Sequence, residues 1–482
     1  MKKLIEKIKK HWIVSTSLTV LLVVILVAAY LGLNIWVKSL KLTAIDLTKD
    51  KIYTLSDTSK EQLKNIDQET TIYIMGLKDN TSLIDLINQY EKFSDKIKTE
   101  RVDDLNTRPE LKSKYGLEDS DSAVVVQAGE NTKILSVYDF TTYDYTTGES
   151  IDVTEQKITN AIINVNVKEK PQIYFMAGHN EYGITTYLQA LSTLLQEEAN
   201  DTKTLNILTE GKIPDDCSVL AIVNPTKDFT EFETEKIIDY VNKGGKILWL
   251  AGPNFDGTTF TNAQKVLDLY GATLGDGIIL EQDSSKMLLG TPNFFSPIVN
   301  ASSPITKNIA TDGSVILINA TKIELKDTEE LDKIDVTSNN LLTTGDKALY
   351  RTNLKNNTTS KIDTDEQGTF VVGTELTKQI DEKVESRLIL LSSSEFATNE
   401  TISLENQQTY PVLLANNKDL VANSLAALNE REDMITIRKN TETVTYTATQ
   451  QQHYIIMAVI FIIPILIIIA GIIVWQVRRR KK

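Results

Sequence analysis

The pattern of apolar and polar positions divides the chain into two long uncharged runs near its ends and a region of short elements between them. The first run covers residues 12–36 and is interrupted only by uncharged polar side chains. As a helix it would extend roughly 37 Å, which is enough to cross a bilayer with some tilt. A cleavable signal peptide is the alternative, although its apolar region is usually about 7–15 residues long.

The second uncharged run covers residues 454–476 and contains Pro464. Proline is tolerated in a membrane helix where the freed carbonyl finds another partner. A helix buried in a soluble core is the alternative, but the length of the run and the basic cluster behind it favour a membrane span. We therefore predict two transmembrane helices.

Basic flanks define the orientation of the two predicted spans. Lysines precede the first span in residues 1–11, and arginines and lysines follow the second in residues 477–482. Because basic flanks stay on the cytoplasmic side, both termini are expected in the cytoplasm. The region between the spans is then extracellular, and the protein is expected in the plasma membrane with two passes.

Charge and cysteine content restrict the partners of the outer region. The net charge is −14 although both tails are basic, so the outer region is strongly acidic. Such a charge argues against nucleic acid as a ligand. The single cysteine, Cys217, excludes an intramolecular disulfide. A large exported region without disulfides suits a bacterial surface better than a eukaryotic one.

Short elements with alternating periods follow the first span. A helix is expected after Ser56, a good N-cap, and residues 70–76 alternate as a strand. A helical apolar stripe begins at Leu83, a hairpin is expected around Gly129, and residues 155–168 read as a helix. These elements predict a membrane-proximal α/β segment.

The next stretch predicts strands that are buried on both faces. Residues 172–177, 217–223 and 246–250 are continuous apolar runs, as in a parallel sheet covered on two sides. Helices are expected between them, at Thr185–Ala199 and after a capping box of Thr230 with Glu233. Strand and helix alternate with short loops, which predicts an α/β fold with a doubly wound parallel sheet.

The remaining outer residues are less regular. Residues 281–385 are polar with short strand-like runs, which indicates a mixed, antiparallel insertion. The predicted organisation, in chain order, is a cytoplasmic basic tail (1–11), a transmembrane helix (12–36), a membrane-proximal α/β segment (37–168), a central α/β domain (169–280), the insertion (281–385), a last strand and helix completing the α/β domain (386–440), a linker (441–453), a second transmembrane helix (454–476) and a basic tail (477–482).

Several sequence blocks, taken in order, resemble one family. They are "DLTKDKIYTLSDTSKEQLKNIDQETTIYIM" (46–75), "EQKITNAIINV" (155–165), "IYFMAGHNE" (173–181), "VLAIVNPTKDFTEFETEKIIDYVNKGGKILWLAGP" (219–253) and "LILLSSSEFATN" (388–399). Together with the two spans, they resemble the GldG-like auxiliary component of ABC-2 type transporters, of the gliding-motility type. The family's last turn usually reads Gly-Asp-Ser-Asp-Phe, whereas this chain has Ser392-Ser393-Ser394-Glu395-Phe396.

The resemblance implies an accessory membrane subunit that works beside a separate ABC-2 type permease and a separate cytoplasmic ABC ATPase. The chain has no G-x-x-x-x-G-K-[ST] motif, so it lacks a P-loop of its own. The expected partners are therefore the permease, the ATPase and the lipid bilayer. No cofactor is expected.

The corner His179-Asn180-Glu181 is the strongest candidate for a site. It follows a predicted strand, at the edge where open α/β sheets bind ligands. The turn containing Ser393, Ser394 and Glu395 is expected at the same edge, so the two could line a shared polar groove. Contact with a ligand or partner is one interpretation of the corner; a purely structural turn is the other.

Catalysis and metal binding find little support in the residues. The α/β core is similar to glutamine amidotransferase-like folds, which use a Cys-His-Glu set, but Cys217 begins a strand instead of following one. The three histidines have no metal-ligand spacing. We therefore expect a non-catalytic auxiliary subunit. A surface polymer-binding or scaffold protein independent of transport and a degenerate amidotransferase-like enzyme remain as alternatives.

Overall fold

The computed structural model describes residues 55–431 apart from 65, 119–120, 145–148, 313 and 405–406. No helix within these residues is both long enough and apolar enough to cross a membrane. The two predicted spans, both basic tails, the linker at 441–453 and the ends of the predicted segments at 37–54 and 432–440 lie outside the described residues.

The first elements form a small mixed sheet with helices. The elements up to residue 166 are α1 (Asp57–Leu63), β1 (Thr70–Met75), α2 (Thr81–Phe93), β2 (Ile97–Val102), α3 (Pro109–Tyr115), β3 (Ala123–Ala128), β4 (Asn131–Ser136), β5 (Thr141–Asp144), β6 (Glu149–Asp152) and α4 (Thr154–Asn166). The four strands of the sheet lie in the order β2-β1-β3-β4, with β1 parallel to β2 and the other neighbours antiparallel.

Local sequence signals account for these elements well. Ser56 caps α1 by accepting a hydrogen bond from the Ser59 amide at 3.1 Å. The stripe Leu83, Ile84, Ile87 on α2 is buried against the sheet. The predicted hairpin is confirmed as β3 and β4, with Gly129 in the turn at a φ of 56°.

A ten-stranded sheet dominates the rest of the described chain. Its elements begin with β7 (Gln172–Met176), α5 (Gln189–Glu197), β8 (Asp201–Leu205), α6 (Ile207–Glu210), β9 (Cys217–Val223), α7 (Glu231–Val241), β10 (Lys246–Leu250), α8 (Thr261–Asp268) and β11 (Ala272–Leu274). They continue with β12 (Ile278–Leu280), β13 (Met287–Leu288), β14 (Thr291–Phe295), β15 (Ile298–Val299), α9 (Lys307–Asp312), β16 (Leu317–Ile318), β17 (Ile323–Leu325), α10 (Thr328–Asp332), β18 (Val336–Thr343), β19 (Leu349–Arg351), β20 (Glu366–Gln367), β21 (Val371–Gln379), β22 (Glu385–Leu391), β23 (Ile402–Leu404), β24 (Gln407–Thr409) and α11 (Asn417–Leu428).

Five parallel strands form one half of this sheet, in the order β8-β7-β9-β10-β22, with β8 at the edge. Alternate residues of β7, β9, β10 and β22 enter two separate cores. One face packs against α5 and α11, and the other packs against α7 and α8. Because both faces are covered, these four strands are mainly apolar, whereas the edge strand β8 is polar and buries only Leu205. The prediction of an α/β fold with a doubly wound parallel sheet is confirmed for these strands.

The stretch 281–385 contributes antiparallel strands to the same sheet. β21 forms a hairpin with β22, and β17 and β18 both pair with β21. The predicted boundary at residue 385 therefore falls inside the β21–β22 hairpin. A short connection at 380–384 closes this hairpin, since the Ile380 amide donates to the Val384 carbonyl at 2.9 Å.

The helix expected at Thr185–Ala199 is shorter than predicted. Turns occupy the residues before it, and α5 begins at Gln189. The Gly183 carbonyl accepts hydrogen bonds from the Thr186 and Leu188 amides at 3.2 and 3.1 Å. These bonds form turns, and the regular hydrogen bonds of an α-helix begin only at α5. The segment between β7 and α5 therefore stays near the sheet edge.

Candidate functional site

The carboxyl ends of the five parallel strands meet at one edge of the sheet, and a polar turn follows each strand. These turns are residues 178–181 after β7, Asn206 after β8, Asn224 after β9, 252–254 after β10 and 392–395 after β22. In open α/β sheets this edge is the usual place for ligands. The predicted site residues all belong to two of these turns.

Unusual backbone conformations shape this edge. Asn180 and Asn224 adopt positive φ angles of 64° and 56°, which asparagine tolerates better than most residues. A Cβ atom on Gly252 would lie 3.3 Å from the Asn224 Oδ1 and 3.5 Å from the Ser394 Oγ. The turns after β9, β10 and β22 therefore converge on Gly252.

The His179 side chain is buried at this edge, with 5% of its surface exposed. Its Nδ1 lies 3.3 Å from the Glu181 Oε1, and its Nε2 lies 3.1 Å from the Glu233 Oε2. Both ring nitrogens thus face carboxylates from the chain itself. The ring therefore stabilises the turn and has no free nitrogen to offer a ligand.

Opposing effects determine the pKa of this cluster. Burial lowers the pKa of His179, but the hydrogen bond to Glu181 and the charge of Glu233 outweigh it, so the net pKa is raised. Burial raises the pKa of Glu181, but its hydrogen bonds with His179 outweigh it, and the net pKa is lowered. Both shifts favour the charged pair.

Glu233 joins the histidine to the start of α7. Its Oε2 accepts hydrogen bonds from the Thr230 amide at 2.9 Å and the Thr230 hydroxyl at 2.7 Å, and the Thr230 Oγ1 accepts the Glu233 amide. The capping box predicted from the sequence is therefore confirmed. The contact of Glu233 with His179 could not be predicted in the same way, because the two residues are distant in sequence.

Asn180 is the exposed member of the corner. Its Nδ2 donates to the Thr226 Oγ1 at 3.1 Å, and the neighbouring His179 carbonyl accepts the Thr226 amide at 2.9 Å. These bonds fix the corner against the loop after β9. Of the three residues predicted here, only Asn180 presents its side chain to solvent.

The second predicted turn is largely buried. The Ser393 Oγ donates to the Ile318 carbonyl at 2.5 Å and accepts the Ile318 amide at 3.3 Å, so it fixes β16. Both Glu395 carboxylate oxygens accept the Asn319 Nδ2 at 2.9 Å, and burial raises the pKa of Glu395. Ser394 is also buried.

Contacts join this turn to the segment that follows the His179 corner. The Asn399 amide donates to the Tyr187 carbonyl at 2.8 Å, and the Asn399 Nδ2 donates to the Thr186 carbonyl at 2.8 Å. Burial raises the pKa of Tyr182, and the nearby charge of Glu395 adds to the effect. The two predicted turns thus lie at the same edge.

A cleft of about 760 Å³ opens beside this edge and was missed by the sequence analysis. We call it the α8 cleft; its walls are the loop after β10, helix α8, strand β11 with the residues behind it, and residues 352–355. Three aromatic residues line it: Trp249, Phe255 and Phe260. The sequence signal for it was the exposed aromatic in "GPNFDG", which no periodic pattern explains.

Aromatic contacts connect the His179 corner to the α8 cleft. The His179 and Phe229 rings pack edge to face with centroids 5.2 Å apart, and the Phe229 and Trp249 centroids are 5.7 Å apart. Asp228 accepts the Asn262 and Ala263 amides at 2.8 and 2.9 Å and so caps α8. The loop after β9 therefore positions both features.

Cys217 lies far from this edge in the sheet. It begins β9, whereas His179 follows the end of the parallel strand β7, so the two residues lie at opposite edges. Burial raises the pKa of the Cys217 thiol to about 12, which keeps it protonated at neutral pH. Within the described part of the chain, no three His, Cys, Asp or Glu side chains are grouped to hold a metal ion.

Comparisons with known proteins place this fold in a family. A family model described as "ABC-type uncharacterized transport system" (ABC_transp_aux) matches residues 170–424, and a model described as a domain of unknown function (DUF7088) matches residues 49–139. No curated protein matches the chain. A solved structure described as "mmIFT52 N-terminal domain" is 16% identical with a TM-score of 0.39, over 53% of this chain and 97% of that one. The first match covers more than half of the chain, which therefore belongs to the ABC-type transport-system auxiliary family.

Proposed function

We propose that the chain is a non-catalytic auxiliary subunit of an ABC-2 type transporter, working beside a permease and a cytoplasmic ABC ATPase. The observation that carries the proposal is the family match over residues 170–424, which include the whole parallel sheet. Membership of this family supports a role associated with transport. The absence of a P-loop motif from the chain leaves nucleotide hydrolysis to another subunit.

The proposal places the protein in the plasma membrane with two spans, at 12–36 and 454–476, and both termini in the cytoplasm. The uncharged runs and their basic flanks support this topology. The membrane-proximal segment (37–168) and the central region that follows it would then lie outside the cell, above the permease. In that position the outer region contacts the substrate or the permease.

The carboxyl edge of the sheet is the proposed contact surface. Asn180 is its exposed polar group, while His179, Glu181, Ser393, Ser394 and Glu395 build the turns around it. The engagement of both His179 nitrogens by carboxylates and the position of Cys217 at the opposite edge support a binding role in preference to catalysis.

Affinity purification tests the proposed partnership. The full chain, tagged at one terminus, is extracted in a mild detergent, and the recovered proteins are identified by mass spectrometry. We expect an ABC permease and an ABC ATPase in a fixed ratio to the chain. A matched control, an unrelated two-span membrane protein that carries the same tag, should recover neither subunit. Recovery of the chain alone in two different detergents would contradict the proposal.

A further inference from the structure

The α8 cleft has the size and composition of a binding site. Its volume of about 760 Å³ lies within the usual range of ligand pockets, roughly 300–1,000 Å³. Among its lining residues only Asp276 and Lys355 are charged, and their charges are opposite. The other polar lining residues are threonines, asparagines and Gln264. The cleft therefore favours an uncharged ligand.

A free strand edge borders the cleft. β11 is the last strand of the sheet and pairs only with β17 among the described strands. The Gly275 amide donates to the Lys322 carbonyl, and the Lys326 amide donates to the Gly271 carbonyl, both at 2.9 Å. In an antiparallel pair such bonds recur at every second residue. The main-chain N–H and C=O of Leu274, which lines the cleft, therefore point away from β17.

A glutamine side chain already occupies part of this edge. The Gln264 Nε2 donates to the Ala272 carbonyl at 2.9 Å and contacts the Thr273 Oγ1 at 3.3 Å. Ala272 is the other residue of β11 whose main chain faces away from β17. A side-chain amide thus makes here the kind of hydrogen bond that a neighbouring strand would make.

Aromatic residues form part of the wall of the cleft. Trp249 is only 2% exposed, yet its Nε1 has no hydrogen-bond partner within the described residues. The Nε1 atom is itself buried, so Trp249 forms part of the wall of the cleft and its N–H is not accessible to a ligand there. Phe255, with 57% of its surface exposed, offers an apolar contact at the mouth.

We propose that the α8 cleft binds an uncharged, extended peptide segment that adds to the free edge of β11. The outward N–H and C=O of Leu274 would pair with the peptide backbone. Phe255 would cover an apolar side chain of the peptide. The inference rests on the proposed function, because the peptide segment would belong to the partner or substrate that the outer region contacts.

The test uses the full chain in lipid nanodiscs and a defined probe. The probe is a dye-labelled hexapeptide of alternating threonine and valine with blocked ends, because this composition is uncharged and favours strands. Binding is measured by fluorescence anisotropy. A second peptide, N-methylated at alternate residues, cannot donate to a strand edge. Maltohexaose serves as a competitor that represents neutral carbohydrates.

Two substitutions distinguish main-chain pairing from side-chain contact. Leu274→Pro removes the outward N–H, and it spares the β11–β17 bonds because proline is accepted on an edge strand where its nitrogen faces outward. Leu274→Ala shortens the side chain but keeps the N–H. We expect saturable binding with a Kd below about 1 mM, weakened at least about tenfold by Leu274→Pro or by N-methylation and less than about threefold by Leu274→Ala. With Trp12, Trp36 and Trp475 changed to phenylalanine, unchanged Trp249 fluorescence in each variant shows that the fold is retained.

Three outcomes would overturn the inference. They are the absence of saturable binding up to about 1 mM, equal binding of the normal and N-methylated peptides, and complete displacement by maltohexaose, which would assign the cleft to carbohydrate. None of these outcomes affects the copurification with permease and ATPase. A failed peptide test with successful copurification would therefore reject only the cleft inference, and the reverse result would reject only the transporter role.

Discussion

Replacing His179 with alanine tests the structural account of the predicted corner. In the wild-type protein the ring lies between two carboxylates, at 3.3 Å from Glu181 and 3.1 Å from Glu233. The His179→Ala variant leaves both carboxylates buried, since the Glu181 and Glu233 side chains are only about 1% exposed or less. It also removes the aromatic contact with Phe229.

The expected decrease in the free energy of unfolding follows from removing the histidine from between two buried carboxylates. Removing one partner of a buried ion pair typically costs about 3–5 kcal/mol, because an uncompensated charge stays in the interior. The matched control is Asn180→Gly, which removes an exposed side chain and tolerates the φ of 64°. The control should change the free energy of unfolding by about 0.5 kcal/mol or less.

The loss of stability in His179→Ala should be smaller above neutral pH. The folded-state pKa of His179 is raised, so its stabilising contribution is complete below the ordinary histidine pKa of about 6.5 and is lost as the pH rises through the raised value. The pKa of Glu181 is lowered, so its contribution is present above about 4.3 and is lost as the pH falls through the lowered value. The difference between wild type and His179→Ala should therefore narrow above neutral pH.

Tryptophan fluorescence provides the assay. The chain has four tryptophans, and Trp249 is the one inside the central sheet. With Trp12, Trp36 and Trp475 changed to phenylalanine, urea unfolding of the full chain in detergent reports on this sheet alone. A cost below about 1 kcal/mol, or a difference that does not vary with pH, would refute the ion-pair explanation.

Three further predictions concern other parts of the molecule. Thr230→Ala should lower the free energy of unfolding by about 1 kcal/mol in the same urea assay, because it removes the cap of α7. Arg351→Met should speed tryptic cleavage in residues 353–361, because the buried Arg351 holds Asp365 and the carbonyls of Thr358 and Ser360. In a Cys217→Ala background, Tyr138→Cys should react with an impermeant maleimide on intact cells, because Tyr138 is 87% exposed in the proposed outer region.

Each of these predictions has a control and a contrary result. Thr230→Ser keeps the capping hydroxyl and should remain close to wild type; equal losses in both variants would argue against capping. Lys307→Met removes an exposed charge and one tryptic site elsewhere and should leave cleavage within residues 353–361 unchanged, whereas unaltered cleavage of Arg351→Met in that range would show that the loop does not depend on this residue. Lys3→Cys should react with maleimide only after lysis, and labelling of Tyr138→Cys only after lysis would reverse the proposed topology.

Sequence patterns among neighbouring residues predicted most helices and strands, but not the contacts between residues that are distant in sequence. The Ser56 cap, the Thr230–Glu233 capping box and the hairpin at Gly129 are formed by neighbouring residues, so the sequence contains them in full. Helix α8 was not predicted. Its cap comes from Asp228, whose carboxylate reaches the Asn262 amide across 34 positions of sequence. A cap from so far along the chain leaves no local pattern.

In the candidate site, too, the features formed by neighbouring residues were predicted and the contacts between distant residues were not. The sequence placed His179 and Glu395 after strands, and the parallel pairing brings both turns to one edge. It did not predict that Glu233 completes the histidine cluster, or that residues 352–355 close a cleft with α8. The first depends on the packing of α7 beside β7, and the second on the long-range pairing of β19 with β12 and β20; apolar periodicity alone specifies neither.

Native mass spectrometry of the complex released from membranes tests the central claim most directly. The account predicts one assembly whose mass equals the sum of this chain, an ABC permease and an ABC ATPase in whole-number ratios, and whose dissociation yields each subunit. A spectrum that contains only the chain or its own multiples, under conditions that keep other ABC transporters intact, would contradict the role as a transporter subunit.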